Sequence, residues 1–308
     1  MAVDWWQVLG MNLLRALDQP RVLQALTGLN AVEFAGLAET LAKVWDRHTR
    51  RTCAGQPRQR ARGAGPTPVL ATAPHRLLFI LFYFRHYPIQ EVLGFCFGLT
   101  QPQANRWVLR LAPLLAKALG RQLVLPARQP RQLAQLLAQC PELGAVIDGT
   151  ERPIRRPQDA GRQRRHYSGK KKRHTVKNVV VTQGRQVRFL GRTAPGRRHD
   201  KKLAEPIRQL PGGTVVLGDS GFQGWHPAGA TVIVPVKKPR GGELHPATAA
   251  TNRALAGCRV VVEHVLAGVK RCQIVSAVFR HLKTGFADVA MTIACGLHNL
   301  RTTARAAA

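Results

Sequence analysis

The N-terminal part of the chain has the spacing of amphipathic helices. Leu37, Leu41 and Val44 lie three or four positions apart, which places them on one face of a helix. We therefore predict an N-terminal helical module over residues 1–48. The composition then shifts to Arg, Gly, Pro and Gln with hardly an apolar side chain, which predicts a basic linker over residues 49–68.

Further helical stretches are expected in quick succession, at residues 74–87, 88–97 and 100 to about 119. Pro88 suits the first turn of a helix and Gly98 suits a helix end, while Thr100 and Gln103 have the spacing of a capping box. Two helices joined by so tight a turn predict a helix-turn-helix within residues 69–125, although short helical hairpins are also common in proteins that never touch DNA. Its second helix would present these polar and basic side chains to DNA: Gln101, Gln103, Asn105, Arg106 and Arg110.

The middle of the chain changes to short, β-branched runs that are typical of strands. Strands are expected at 145–151, 174–182, 186–193, 214–219 and 231–236. Other elements are expected around them: a helix from about 196 to 210, a loop over 237–257, a helix around Glu263 and a terminal helix from 285 to about 304. Strands that alternate with helices predict an α/β domain.

Two of the predicted strands end in a carboxylate. Asp148 ends the run that starts at Ala145, and Asp219 ends the run that starts at Thr214. A third acid, Glu263, lies in an amphipathic stretch. The chain has only 16 Asp and Glu residues, and ionised carboxylates are costly to bury without a partner, so the three acids together favour a metal site. Either Asp by itself would more simply cap the turn after its strand.

The chain is strongly basic, with 47 Lys and Arg residues and a formal net charge of +31. This excess indicates a polyanionic partner such as DNA, with ribosomal RNA or an anionic membrane surface as alternatives. The longest apolar run, residues 77–84, is far shorter than the roughly 20 residues that span a bilayer. The start of the chain has no signal-peptide pattern and the six cysteines have no zinc-site spacing, so we expect a cytoplasmic protein with reduced thiols.

These residues resemble the DDE transposases of bacterial insertion sequences, in the group related to the Harbinger-like endonucleases. The resemblance covers most of the chain and rests on three motifs: Asp148-Gly149-Thr150-Glu151, then Gly218-Asp219-Ser220-Gly221-Phe222, then Arg259, Glu263 and Lys270 at fixed spacing. One position departs from the pattern. Many relatives have a Tyr three residues before the Arg, where this chain has Ala256.

The resemblance implies an α/β RNase H-like catalytic core over residues 140–308, with a mixed five-stranded sheet and flanking helices. An all-α N-terminal region with the helix-turn-helix would precede it. Separations of 71 and 44 residues between the acids suit such a core without a large inserted domain. The resemblance also implies that Asp148, Asp219 and Glu263 bind two Mg²⁺ or Mn²⁺ ions, which support in-line displacement at a phosphodiester.

Several basic residues are expected to contact DNA. Residues 152–173 hold ten Lys and Arg, among them Arg164, Arg165, Lys170, Lys171 and Lys172, although such a charge run is usually a solvated surface. The pair His199-Asp200 resembles one often seen at this place in the family, which suggests that it positions the substrate, with a helix N-cap at Asp200 as the alternative. Arg259 and Lys270 would lie within about 40° of Glu263 on a helix and would contact phosphate near the scissile bond. A surface ion pair with Glu263 is the alternative.

The resulting hypothesis is a DNA transposase that cuts at the terminal inverted repeats of its element and joins the 3′-OH ends to target DNA. Its partners would be double-stranded DNA and a second copy of the chain, because joining two ends to one target requires two active sites in a homodimer or higher assembly. Two alternatives stay open. One is a non-catalytic DNA-binding protein, such as a repressor or an architectural protein, and the other is a nuclease that cuts without integrating.

Overall fold

The structure, a computed structural model, describes residues 13–50, 69–140, 144–239 and 241–306. Most of the predicted basic linker, residues 51–68, lies outside this part of the chain. The chain divides into two compact units, one made of Met1–Val124, Arg271–Ile274 and Thr303–Ala308, the other of Leu125–Lys270 and Val275–Thr302. Among the described residues, no helix has the length and apolar character needed to cross a membrane.

The first unit is helical, as the apolar spacing predicts. A 3-10 helix at Leu13–Asp18 precedes its α-helices: α1 (Pro20–Thr27), α2 (Ala31–Thr49), α3 (Ala73–His86), α4 (Gln90–Cys96) and α5 (Gln101–Arg121). Leu37, Leu41 and Val44 are buried along α2. A capping box starts this helix, since the backbone N–H of Glu33 donates to the Asn30 side chain and that of Asn30 donates to the Glu33 carboxylate.

The helix-turn-helix is formed by α4 and α5. The chain leaves α4 through Gly98, whose φ of 63° is a left-handed conformation that favours glycine. The next N–H, of Leu99, donates back to the carbonyl of Gly94 at 2.9 Å, which closes the helix end. Thr100 then caps α5, and its N–H donates to the Gln103 side chain at 2.9 Å. The glycine at the end of α4 and the capping box at the start of α5, both predicted from the sequence, are therefore present.

The helix α4 begins later than the sequence indicates. The expectation that Pro88 lies in its first turn is wrong, because the helix starts at Gln90. Tyr87 ends α3 in a left-handed conformation with a φ of 47°, and Ile89 is extended. Pro88 therefore lies in the connection between the two helices, where its missing N–H breaks no helical hydrogen bond.

The second unit is built around a mixed sheet with flanking helices, as predicted. Its strands are β1 (Ala145–Pro153), β2 (Tyr167–Ser168), β3 (Arg173–Gln183), β4 (Gln186–Leu190), β5 (Ala194–Pro195), β6 (Gln209–Leu217) and β7 (Ala228–Ile233). Its helices are α6 (Pro130–Ala138), α7 (Ala160–His166), α8 (Asp200–Ala204), α9 (Pro246–Lys270) and most of α10 (Phe286–Ala306).

The sheet has seven strands within the described residues, so the predicted count of five is wrong. The two additional strands, β2 and β5, are two residues long and pair with β3. Strands of two residues are too short to show an alternation of apolar and polar residues, so the sequence pattern does not predict them. The five longer strands lie in the order β4, β3, β1, β6, β7, with β1, β6 and β7 parallel and β3 antiparallel to β1 and β4.

Several boundaries also differ from the expected ones. The helix α8 ends at Ala204 rather than near residue 210, because Pro206 has no N–H for a further helical turn. The next strand, β6, consequently starts at Gln209. The strand β4 ends at Leu190 rather than at Thr193, and β7 covers Ala228–Ile233 instead of residues 231–236.

The segment 246–257 is helical, although the sequence was expected to form a loop there. It makes the first turns of α9, which begins with Pro246. The segment is rich in alanine, the strongest helix former, and proline is favoured at a helix start. The expectation of a loop gave too much weight to Pro and Gly and too little to Ala.

One face of the sheet packs on the hydrophobic core of the second unit. Ile147 of β1 and Val216 of β6 belong to this core, together with Phe222 and Trp225. Successive side chains of a strand point to opposite faces. Asp148 therefore projects from the face of β1 opposite to Ile147.

Candidate active site

Adjacent parallel strands bring Asp148 and Asp219 together. In the pairing of β1 with β6, Val146 lies opposite Leu217. Asp219 follows the end of β6 at Leu217 by two residues, as Asp148 follows Val146 on β1. The charge of Asp219 acts on Asp148, so the two acids singled out in the sequence lie close together.

The surroundings of Asp148 disfavour its charged form. Burial is the largest cause that raises the pKa of Asp148, to about 6, and the negative charges of Asp219 and Asp200 raise it further. The N–H of Gly149 and the charge of Arg259 act in the opposite direction. Such a shift is typical of a buried carboxylate with other acids beside it.

Asp219 also caps the turn that follows β6. Its Oδ1 accepts a hydrogen bond from the N–H of Gly221 at 2.8 Å, at the start of the 3-10 helix Ser220–Phe222. The simpler role considered for this acid is therefore present. A carboxylate has two oxygens with several lone pairs, so this one bond leaves capacity for a ligand.

Arg259 reaches Asp148 from α9. Its Nη2 lies 3.7 Å from Oδ1 of Asp148, and its side chain is only 18% exposed. The Nε atom of Arg259 is buried without a hydrogen-bond partner. Val262, Val265 and Val269 are buried along the same helix and hold it against the unit. The packing of α9 thus fixes a positive charge beside the first acid.

Glu263 and Lys270 occupy exposed positions of α9. Within the described residues, no group of three or more His, Cys, Asp or Glu side chains is arranged to hold a metal ion, so Glu263 does not complete such a group here. The helix is continuous from Pro246 to Lys270, and Glu263 follows Arg259 by about one turn on nearly the same face. Its role as a metal ligand stays a prediction.

Asp200 is a further carboxylate at this place. The expectation that it caps a helix is wrong, because His199 is the N-cap of α8 and Asp200 is its first residue. A Cβ atom on Gly149 would overlap Oδ1 of Asp200, and one on Gly221 would lie 3.2 Å from Oδ2. The carboxylate therefore fills a slot between β1 and the turn after β6, which glycine at both positions keeps open.

Lys177 of β3 connects Asp200 to β1. Its Nζ lies 3.0 Å from Oε1 of Glu151 and 3.2 Å from Oδ1 of Asp200, and the residue is only 8% exposed. Burial would lower the pKa of Lys177, but the hydrogen bond to Glu151 and the charge of Asp200 outweigh it and raise the pKa. The sequence analysis missed this residue. A lysine inside an otherwise apolar strand was the available signal, since a buried cation requires a partner.

The basic segment 152–173 contains both exposed and buried cations. Five of its predicted DNA contacts are exposed: Arg164, Arg165, Lys170, Lys171 and Lys172. His199, the N-cap residue of α8, is also exposed. Arg152, in contrast, is 1% exposed and donates to the Ala287 carbonyl at 2.9 Å and to the Asn178 side chain at 2.7 Å. Burial lowers the pKa of Arg152 to about 10. Counting Arg152 with the surface block was wrong.

The polar side chains of α5 are tied to the preceding helix. Asn105 accepts a hydrogen bond from the Gln90 side chain at 3.1 Å, and Gln101 donates to the same Gln90 at 2.8 Å. Gln103 closes the capping box at the start of the helix. These three side chains therefore fix the geometry of the helix-turn-helix, in addition to any contact with DNA.

The two arginines in the first half of α5 differ in their surroundings. The Arg110 guanidinium lies over the Trp45 ring, 4.3 Å from its centroid, and 5.7 Å from that of Trp107. The two indole rings are themselves stacked at 5.8 Å. Arg106 is exposed. Arg106 therefore has its side chain in solvent, whereas Arg110 lies against the indole rings.

A basic cavity of about 1070 Å³ lies near the far end of β1. Its cations come from segments that are distant in sequence, among them Arg128, Arg155, Arg192 and Lys283. Ile154 and Phe279 contribute apolar wall. The sequence analysis found only the part of this surface that lies within residues 152–173.

Comparison with known proteins agrees with the resemblance. The family described as DDE superfamily endonuclease matches residues 147–299, and the helix-turn-helix of DDE superfamily endonuclease matches residues 69–121. The probable transposase for insertion sequence element IS702 of Microchaete diplosiphon is 30% identical over 230 residues, which cover 73% of this chain and 79% of that relative. No solved structure matches the chain significantly. The chain therefore belongs to the insertion-sequence transposases of the DDE endonuclease superfamily.

Proposed function

We propose that this transposase cuts DNA at the terminal inverted repeats of its element and transfers the freed 3′-OH ends into target DNA. The observation that supports the proposal is the parallel pairing of β1 with β6, two residues beyond which Asp148 and Asp219 follow. We also propose an RNase H-like fold for the second unit. The order of its five longer strands, β4, β3, β1, β6, β7, supports that fold.

The residues at this place fit a divalent cation. Carboxylate oxygens are the donors that Mg²⁺ and Mn²⁺ prefer. Burial and the charges of Asp219 and Asp200 raise the pKa of Asp148 to about 6, so a cation among these carboxylates would offset their repulsion. A pair of bound ions would supply the Lewis acid that stabilises the attacking and leaving oxygens of a phosphodiester displacement. We propose that Asp148, Asp219 and Glu263 would bind these ions.

Arg259 and Lys270 are proposed to bind phosphates that flank the scissile bond. The Arg259 guanidinium lies 3.7 Å from Asp148, close to a position where a DNA phosphate would meet the carboxylates. Its planar donor set can form two parallel hydrogen bonds with a phosphate. Lys270 lies at the exposed C-terminal end of α9 and would act as a point charge further along the strand.

Contacts with DNA outside the cutting site are proposed for both units. In the first unit they come from α5, and in the second from exposed cations of α7, the turn before β3 and the start of α8: Gln101, Gln103, Asn105, Arg106, Arg110, Arg164, Arg165, Lys170, Lys171, Lys172 and His199. We further propose that a homodimer or a higher assembly forms on DNA, because joining two ends to one target requires two active sites.

Incubation with a duplex that carries the element end tests the proposed reaction. With Mg²⁺ we expect strand cleavage at the junction of the element, followed by joined products when target DNA is added. A chelator should remove both products while binding persists. Binding without any cleavage would favour a repressor or an architectural protein instead, and cleavage without joined products would favour a nuclease that does not integrate.

Arg106→Gln is expected to weaken binding to the element end more than binding to a random duplex. Contacts to base edges specify sequence, whereas contacts to phosphates only position the protein. One such contact is worth about 1–3 kcal/mol, which corresponds to roughly a tenfold to hundredfold loss of affinity. Fluorescence anisotropy with labelled end and random duplexes measures both dissociation constants.

Arg121→Gln is the matched control, because Arg121 is exposed at the opposite end of the same helix. It should change neither dissociation constant appreciably. A phosphate contact at Arg106 would give a different result. It would weaken both duplexes equally and reduce the log–log salt dependence by about 0.9, and this outcome would contradict a base-reading role.

A further inference from the structure

A pocket lined by arginines lies beside α7 in the second unit. Its volume is about 600 Å³, and its cations come from three separate segments: Arg156, Arg164 and Arg197. Among the described residues, no Asp or Glu lines it. Arginines that share a pocket repel one another unless an anion balances their charge. The pocket therefore favours an anionic ligand.

Tyr167 gives this pocket, which we call the Tyr167 pocket, an aromatic wall. Tyr167 follows α7 as its C-cap residue and starts β2, and 43% of the residue is exposed. Its ring packs against the His174 ring, with the centroids 5.7 Å apart and the planes at 69°. The pairing of β2 with β3 holds the two residues opposite each other. The tyrosine ring is thus fixed in position but still open to solvent.

Two of the arginines are held in place by α7. The Nε and Nη2 atoms of Arg156 donate to Oε1 of Gln163, at 3.1 and 3.0 Å. The N–H of Arg197 donates to the Arg165 carbonyl at 3.3 Å, which ties the segment before α8 to the same helix. A guanidinium has five N–H donors, so Arg156 keeps donors for a phosphate.

An exposed aromatic ring among cations is the arrangement that binds single-stranded nucleic acid. Bases stack on the ring while the cations contact the backbone. A duplex keeps its bases inside the stack and offers such a pocket only its phosphates and groove edges. A free phosphate would use the arginines but not the Tyr167 ring. The combination therefore favours an unpaired nucleotide over either of these ligands.

The position of the Tyr167 pocket is compatible with a DNA strand that leaves the proposed cutting site. His174 precedes Val180, the partner of Asp148, by six residues of β3. At about 3.4 Å per residue, the pocket lies roughly 20 Å from Asp148 along the strand. Arg156 also lines the larger basic cavity near the far end of β1, so the two basic recesses adjoin.

We infer that the Tyr167 pocket binds an unpaired nucleotide of DNA, whose base stacks on Tyr167 and whose phosphates contact the three arginines. The inference rests on the proposed binding of DNA and adds to it a site for a single strand. It depends on neither metal ions nor cleavage.

Photocrosslinking with the full-length protein tests the inference directly. The probe is a single-stranded oligothymidylate of about ten nucleotides, a length that one such groove can hold, with 5-iododeoxyuridine at its centre. We expect a crosslink at Tyr167, mapped by mass spectrometry, because the stacked base lies against the ring. The same oligonucleotide annealed to its complement should not crosslink there, since its bases stay within the duplex. Crosslinks at other residues only would overturn the inference.

Tyr167→Leu should weaken binding of the single strand by about 5- to 150-fold, the range that loss of one stacking ring produces, and should leave duplex binding unchanged. Tyr167→Phe keeps the ring and should bind like the parent. Fluorescence anisotropy with labelled oligonucleotides measures both affinities. Parent-like binding of the single strand by Tyr167→Leu, or an equal loss on single strand and duplex, would contradict a stacked base.

Arg197→Gln tests the phosphate contacts of the pocket. It should reduce the log–log salt dependence of single-strand binding by about 0.7, and an unchanged slope would contradict a phosphate contact at this residue. Arg208→Gln, an exposed arginine of the same unit outside the pocket, should leave the slope unchanged. Duplex binding without any dependence on Tyr167 would overturn this inference alone. Failure of the parent protein to bind DNA of either kind would overturn the proposed function as well.

Discussion

Asp148→Asn and Asp219→Asn are each expected to reduce cleavage of element-end DNA by about a hundredfold or more. Each change removes a negative charge from the pair of acids that follows the parallel pairing of β1 with β6. Metal-bound transition states lose several kcal/mol when the ion is displaced, and each 1.36 kcal/mol is a factor of about ten in rate. Single-turnover cleavage of a labelled end duplex in Mg²⁺ measures the loss.

The double variant should be hardly slower than either single variant, because residues that act as one unit have non-additive effects. Binding to the end duplex should persist, since the proposed DNA contacts lie on other elements. Glu243→Gln, an exposed acid of the same unit, serves as the control and should cleave like the parent. Cleavage near the parent rate in either Asp variant would contradict the proposed active site.

The adjacency of Asp148 and Asp219 could be anticipated because it depends on strands. Each acid follows a β-branched run, and parallel pairing brings the two runs together. The expectation that Asp148 ends its strand is wrong, because β1 continues to Pro153. Local signals of this kind also gave the capping box at Thr100 and the turn at Gly98. They depend on residues that are neighbours in the sequence, so the sequence alone contains them.

The group formed by Lys177, Glu151 and Asp200 could not be read in the same way. Its members come from β3, β1 and α8, and their contacts depend on how those elements pack. The sequence shows that Lys177 interrupts an apolar strand, but it does not show which acid meets it. Asp200 was misread as a cap because capping is the commonest local use of Asp before a helix.

Arg152 illustrates the same limit for a charge run. In the sequence it is one of many cations after β1, and a surface position is the ordinary reading of such a run. In the structure it is buried and donates hydrogen bonds to the Asn178 side chain and to the Ala287 carbonyl. Ala287 lies more than a hundred residues further along the chain. Only the tertiary partners separate this structural arginine from those that can reach DNA.

Glu263→Gln is expected to reduce cleavage of the end duplex by about a hundredfold or more, while binding to that duplex and thermal stability change little. Glu263 follows Arg259 by about one turn of α9, and Arg259 contacts Asp148 at 3.7 Å. Glu263 therefore lies on the side of α9 from which Arg259 reaches Asp148, and its side chain is exposed here. Gln keeps the shape and helix propensity of Glu and removes the charge that would hold a cation.

Unchanged cleavage by Glu263→Gln would indicate that Glu263 binds no metal ion. An exposed carboxylate that forms only a surface ion pair contributes at most about 1 kcal/mol to stability, so Gln would leave cleavage near the parent rate. Glu263→Asp adds a second comparison, because it keeps the charge but shortens its reach and should retain more activity than Glu263→Gln. Parent-like cleavage by purified Glu263→Gln would remove Glu263 from the proposed ligands.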